Sequence, residues 1–211
     1  GLEYIVITDH TKSLAMTGGL DGRKLLEQGV EIERVNKKLK SEGIEFKVLK
    51  GAEVNIGKDG SLDINDETLA KLDVVGVSVH SLMGMSESDM TDRIIRAISN
   101  PHVDILFHPT GRLVQKRKPY EVDIERVIKE AARTRTILEI NAFPTRLDLK
   151  DEHIRLGVEL GAKFVIDSDA HSMEHISNLR YGIAQARRGW AEKKDVVNAW
   201  PLKKMLTMLK K

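Results

Sequence analysis

The chain has no cysteine among its 211 residues. That absence excludes disulfides, thiolate zinc fingers, iron–sulfur clusters and a cysteine nucleophile. Any bound metal must be held by His, Asp and Glu, a donor set that suits zinc, manganese or iron. No apolar stretch approaches the roughly 20 residues needed to cross a bilayer, and no signal peptide is visible. A cytoplasmic location without a membrane partner is therefore expected. Neither sign of charge prevails: 34 Lys and Arg stand against 32 Asp and Glu, for a net charge of +2. Global charge thus gives only weak support for a nucleic-acid partner. There is no sequence repeat and no low-complexity segment. No nucleophilic serine motif is present, and the glycine-rich piece Thr17-Gly18-Gly19 lacks the lysine of a P-loop.

What is present is an alternation of strand-like and helix-like segments. Apolar, β-rich runs predict strands over Tyr4–Thr8, Phe46–Leu49, Val74–Val79, Val103–Phe107, Thr136–Ile140 and Phe164–Ile166. Leu25, Leu26, Ile32, Val35 and Leu39 fall at helical spacing, which predicts a helix over Asp21–Ser41 with Gly43 as its stop. Further helices are expected over Glu87–Ser99, Asp123–Arg133, Lys150–Leu160, Ser177–Arg188 and Leu202–Leu209, with a short one over Asn65–Lys71. Asp59-Gly60 marks a tight turn between Val54-Asn55-Ile56 and Leu62-Asp63-Ile64, a small hairpin. Such alternation argues for a parallel sheet with helical crossovers, in one domain over residues 1–211. Gly1 is not an initiator Met, and the first strand begins almost at once. The expectation is a piece of a longer protein, cut just before a strand. A closed barrel would need at least one strand beyond the six visible here.

Four of the apolar runs stop at histidine: IVITDH at His10, VVGVSVH at His80, VDILFH at His108, and FVIDSDAH at Asp169 and His171. A fifth, FKVLKGAE, stops at Glu53. In parallel α/β folds the C-terminal ends of the strands share one face, where active sites are built. Side chains two apart on a strand point the same way, so Asp169 and His171 share a side, as do Thr8 and His10, with Asp9 turned away. One histidine at a strand end is commonly a hydrogen-bonded loop residue; four such histidines with Glu53 and Asp169 read as a multi-metal centre. Two or three metals held there would clamp a phosphoryl group and generate hydroxide near neutral pH. Asp9 is expected to orient His10 or a strand-end amide. His102 lies at the opposite end of its strand and His153 in a helical pattern, which makes the first structural and the second a surface residue; His175 follows the last ligand loop. After His108 comes the loop GRLVQKRK, with four cations at Arg112, Lys116, Arg117 and Lys118. Charge runs are usually solvated, yet this one overhangs the proposed centre, and Arg112 is the best candidate for a bidentate phosphate clamp.

The motifs TDH, GAEV, SVHS, HPTGR, EIN and SDAH, in this order, resemble those of the PHP (polymerase and histidinol phosphatase) domain. HPTGRL, EINAFPTRLDL, SDAHS, LRYGIAQARRGW and NAWPL look like the subfamily attached to family X DNA polymerases. The resemblance covers essentially the whole chain. It implies a distorted (βα)7, TIM-like barrel, here without its first strand, and two to three divalent metals (Mn, Zn or Fe). It further implies His10, Glu53, His80, His108, Asp169 and His171 as metal ligands, Glu53 bridging two metals, and Arg112 contacting substrate phosphate. The implied activity is metal-dependent phosphoesterase action, of the 3′–5′ exonuclease type on DNA ends, beside a polymerase module of the same parent chain. A small-molecule phosphatase of the histidinol-phosphate type and a non-catalytic supporting domain are the alternatives, with a sugar isomerase a distant third. One departure stands out: the HxH motif that opens the family's first strand has no counterpart here. The expected consequences are a weakened metal site and an open sheet edge, through which the chain could dimerise.

Overall fold

In the computed structural model, which describes residues 1–14 and 17–210, strand and helix alternate along the chain. The strands are β1 (Tyr4–His10), β2 (Lys47–Asn55), β3 (Val74–Ser78), β4 (Ile105–Leu106), β5 (Ile137–Asn141) and β6 (Phe164–Asp167). The helices are α1 (Gly22–Ser41), α2 (Asp66–Leu69), α3 (Glu87–Ile98), α4 (Ile124–Thr134), α5 (Asp151–Glu159), α6 (Leu179–Arg188) and α7 (Leu202–Leu206). Two 3-10 turns, Met173–Asn178 and Val197–Ala199, flank α6. The six strands form one sheet in sequence order, each pair of neighbours parallel. The sheet curls into a half-barrel of the TIM-like kind. Its two edges face each other, because the ring of His10, at the end of β1, lies 6.4 Å from that of His171, just past β6.

Local chemistry sets the boundaries. Asp21 and Asp123, expected as first helical residues, are N-caps whose carboxylates accept from the amides of Lys24 and Arg126. Asn65 and Ser86 cap α2 and α3 in the same way. Strand β2 runs on to Asn55, past its expected end at Leu49. Gly51 reads as a breaker, but here it admits the neighbouring strand: a Cβ at this position would lie 2.8 Å from Val6 Cγ1. Gly76 does the same for Phe107, whose ring would be 1.9 Å from an added Cβ.

Each strand carries two kinds of inward side chain. Low in the half-barrel, Leu49, Val74, Ile105, Phe107, Ile137 and Val165 pack with Val197, Met205 and Leu209 of the C-terminal segment into an apolar plug. Higher up, the same alternation presents His10, Glu53, Glu139 and Asp167, so the inner wall turns polar at the strands' C-terminal ends. The outward faces bury Val54, Val75, Val77, Leu106, Leu138 and Ile140 against the helices.

The sheet edge beyond β6 is partly covered, whereas the edge expected to be open is that of β1. Beyond β6, Val196 forms a parallel bridge with Phe164, and Phe164 N–H donates to Asp195 O at 2.8 Å. The Asn198 amide completes the ladder, accepting from Ile166 N–H at 3.1 Å and donating to Ile166 O at 2.6 Å. The outer edge of β1 has no strand partner among the described residues.

Arg93 on α3 is 1 % exposed and has no carboxylate partner among the described residues. Its guanidinium donates to the carbonyls of Ile56, Gly57 and Ser81. Those carbonyls belong to the turn after β2, bridged at Ile56 and Leu62 as the hairpin reading predicts, and to the loop after β3. One buried cation therefore ties together the two segments beside His80.

Candidate metal centre

Glu53 is the hub. Its Oε1 lies 2.9 Å from His108 Nε2 and 3.2 Å from His80 Nε2, and its Oε2 lies 3.4 Å from His10 Nδ1. The carboxylate is 7 % exposed. Burial pushes its pKa up, but the hydrogen bond from His108 and the neighbouring imidazole of His80 outweigh that and hold it well below the usual carboxylate range. The His80 imidazole is shifted down, first by burial. Ligand atoms of His10, Glu53 and His80 all fall within 4.8 Å of one another.

The hydrogen-bond pattern decides which nitrogens of this cluster are free to bind a cation. The Asn55 amide nitrogen is committed to Thr11, donating to Oγ1 at 3.0 Å and to the carbonyl at 3.3 Å. Its Oδ1 is therefore the acceptor facing His80 Nδ1 at 2.8 Å. That contact places the His80 proton on Nδ1 and turns the Nε2 lone pair toward Glu53. His80 Nε2 and His10 Nδ1 are both buried without a hydrogen-bond partner. Lone pairs aimed at a carboxylate repel it unless positive charge sits between them, so the donor set fits a divalent cation.

The other expected ligands lie around this hub. His108, just past β4, has φ +30°. Its backbone N–H donates to Glu139, and its Nδ1 is buried without a partner. The turn that carries it is locked by fully buried Asp148, which accepts from Thr110 N–H at 3.0 Å and from its hydroxyl at 2.8 Å. Gly111, at φ +61°, closes that turn against the Tyr120 ring, where a Cβ would lie 2.5 Å from Cε1. Asp169 is held by Asn141 Nδ2 and Arg146 Nε, each at 3.1 Å. His171 sits at the exposed rim, its Nδ1 2.8 Å from Asp169 O and its N–H donating to His175 Nδ1 at 3.1 Å.

Three sequence expectations change. Arg112 does not point into the centre: its Nε donates to Arg146 O at 3.0 Å and its Nη2 to Leu147 O. It shapes the loop that carries Arg146, and Arg146 is the arginine beside Asp169, with Nη1 buried and unpartnered. Only the arrangement in space reveals this, because FPTR offers no periodic signal. Asp9 accepts from Gln28 of α1, on the face away from the His10 ring. His153 is not a surface residue: it is half-buried, its Nδ1 lacks a partner, and burial moves its pKa down. His102 and His175 stand where expected, the first hydrogen-bonded locally to Asn100 and the second against His171.

A second acidic pair lies on the inner wall behind the hub. Burial, then the charge of Asp167, raises Glu139 well above the carboxylate range. Burial raises Asp167 to about 7, against a hydrogen bond from Glu139. The pair therefore retains a proton near neutrality. Strand parity places Glu139 beside Asn141 but gives neither carboxylate of the pair a role.

A curled parallel sheet with imidazoles and a carboxylate converging at the strands' C-terminal ends defines an α/β protein of the TIM-like class whose His/Glu cluster could hold a metal. No family model matches the chain. The DNA polymerase/3′-5′ exonuclease PolX of Bacillus subtilis is 42 % identical over 211 residues, all of this chain. The chain spans about a third of that relative, 36 % of its length. A probable phosphatase of Thermoanaerobacter sp. (strain X514) is 34 % identical over 184 residues, covering 81 % of this chain and 67 % of the relative. Among solved structures, histidinol phosphate phosphatase from Lactococcus lactis, in complex with zinc, L-histidinol and phosphate, superposes with a TM-score of 0.56. It is 16 % identical, and the match covers 88 % of this chain and 82 % of that one. A chain of archaeal ribonuclease P with mature tRNA shares the fold at a TM-score of 0.52 and 15 % identity, covering 98 % of this chain and 78 % of that one. The chain belongs to the PHP (polymerase and histidinol phosphatase) family.

Proposed function

We propose that the chain is a metal-dependent phosphoesterase domain that cleaves phosphodiesters at DNA ends, 3′ to 5′, in a protein that also carries a family X polymerase module. The observation that carries this reading is the buried carboxylate of Glu53 met by three imidazoles, each of which has a buried nitrogen without a hydrogen-bond partner. The match of the whole of this chain to part of the exonuclease-bearing relative supports the substrate class. His10, Glu53, His80, His108, Asp169 and His171 would hold two to three divalent cations (Mn, Zn or Fe). These would supply Lewis acidity to phosphoryl oxygens and lower the pKa of water. The chain's own residues do the rest. Asn55 sets the His80 tautomer, Asp148 and Glu139 fix the His108 turn, and Arg146 offers Nη1 to a phosphate oxygen while holding Asp169. Arg112 supports that loop.

Metal content by plasma mass spectrometry, on chain purified without chelator, is expected to exceed one transition metal per molecule. A substoichiometric trace would remove the basis of the proposal. The phosphatase relatives favour a second reading, phosphomonoester hydrolysis. A 3′-labelled oligonucleotide and a small phosphomonoester, compared as substrates, separate the two. Arg146→Ala is expected to lower kcat/KM about tenfold, the loss of a charge-assisted contact in the transition state. Arg112→Ala should instead lower thermal stability along with activity, and equal, purely kinetic losses in both variants would contradict this division of roles. Dimerisation through the outer edge of β1 predicts a dimer mass in light scattering; a monomer alone would exclude it.

A further inference from the structure

The segment 175–191, which includes all of LRYGIAQARRGW, contributes none of the expected ligands. It holds three arginines and no carboxylate. Its two aromatic residues are both exposed, Tyr181 by 38 % and Trp190 by 64 %. Each has an arginine on one face: the Arg180 guanidinium lies 4.8 Å from the Tyr181 ring centroid, and that of Arg155 on α5 lies 3.9 Å from the Trp190 ring. A ring held this way is oriented before any ligand arrives, and its other face stays open to a second planar group. Arg187 forms no ion pair among the described residues. Arg188 is paired with Asp151 at 2.8 Å and Arg155 with Glu159 at 3.2 Å, so those two are partly neutralised.

The segment is also continuous with the metal centre. It begins at His175, which bonds the backbone of His171, and Gly182 seats the N-terminal half of α6 directly on Ala142 and Ile166 at the top of β5 and β6. Tyr181 lies in the first turn of α6 and Trp190 two residues past its last, so the length of the helix, about 15 Å for ten residues, separates the two positions.

We infer that α6 and the turn that ends it, from Arg180 and Tyr181 to Trp190, form a stacking track for single-stranded nucleic acid running toward the metal centre. The inference rests on the DNA-end reading of that centre. Two rings a few nucleotides apart stack bases without regard to sequence, and the arginines between them meet the phosphates. A segment with no carboxylate of its own and with exposed aromatic rings suits a polyanion carrying planar groups; an acyl membrane would call for aliphatic residues where Arg187 and Arg188 stand.

The test is fluorescence anisotropy of a labelled oligothymidylate with the full chain in EDTA, so that binding is read without turnover. Tyr181→Ala and Trp190→Ala are each expected to weaken binding at least about fivefold. Arg187→Glu should weaken it and flatten its salt dependence, while Lys37→Glu, on α1, should change nothing. Arg187→Glu replaces an exposed side chain, so it keeps the test sound if the Trp190 variant folds poorly. Wild-type affinity in all three track variants overturns the inference, as does binding to anionic vesicles with none to the oligonucleotide. Hydrolysis of a small phosphomonoester, measured on the same variants with Mn²⁺, should match wild type. Loss of that hydrolysis in the wild-type chain would sink the catalytic reading while leaving the binding result to decide the track.

Discussion

Glu53→Gln is expected to remove metal binding and, with it, phosphoester turnover. The substitution keeps the size and shape of the side chain, so the apolar plug beneath it is undisturbed. It removes the single negative charge that three imidazoles share. Loss of an outer hydrogen bond to a ligand commonly costs about 10–100-fold in metal affinity or activity, and loss of a ligand that several others face costs more. A fall on the order of a thousandfold in kcat/KM is expected, about 4 kcal/mol of transition-state stabilisation. The readout that isolates the cause is the melting temperature with and without Mn²⁺. Wild-type chain should gain stability as the cation binds the folded state alone. The Glu53→Gln variant should melt near wild type in EDTA and gain little from the metal. A variant that keeps its metal-induced gain would show that Glu53 is not the hub.

Much of this centre is legible in the sequence because strand periodicity and histidine placement are local signals. Six apolar runs become six strands, and the residues that end them come together on one face. Glu53 and His80 belong to adjacent parallel strand segments, so the parity of their positions alone brings them onto the same inner wall. Arg112 escapes such reading because distance along the chain from a ligand says nothing of where a long side chain turns. Its guanidinium finds two carbonyls of a loop some 34 residues away in sequence. Arg146 and Asp148 sit in an irregular segment whose path no periodicity encodes. His153 shows the same limit: its helical spacing is plain in the sequence, but the burial of one helix face depends on the loop packed over it.

The hydrogen-bonding residues behind the ligands are harder to see for another reason. Asn55 and Asp63 look like ordinary hairpin polar residues, and their roles come from meeting Thr11, more than forty positions before them. Asp63 accepts from the Thr11 hydroxyl at 2.7 Å and from Ser13 N–H at 2.9 Å. The chain after β1 is thereby tied to the hairpin that orients His80. Composition and spacing identify the donors of a metal site; the network that fixes their tautomers appears only once non-local contacts are formed.

Glu139→Gln is expected to stabilise the metal-free chain at pH 8. Glu139 is 3 % exposed and faces Asp167 on the inner wall. Its folded pKa stands well above the usual value, first through burial and then through the charge of Asp167. The folded chain therefore keeps a proton that the unfolded chain releases near pH 4.5. Stability from this group is complete below that pH and declines as pH rises toward the folded pKa, because the folded state binds the extra proton. Glutamine needs no proton: its oxygen can accept from His108 N–H and its amide can donate to Asp167, reproducing the protonated acid. The gain should thus be absent near about pH 4 and grow through neutrality, read as urea unfolding in EDTA across roughly pH 4–8. Equal pH profiles for the two proteins would show that the pair shares no proton. The same experiment bears on the centre itself. A wall that holds a proton in the metal-free chain limits the negative charge packed behind Glu53, so four neighbouring carboxylates (Glu53, Glu139, Asp167 and Asp169) can coexist in a folded domain before any cation arrives.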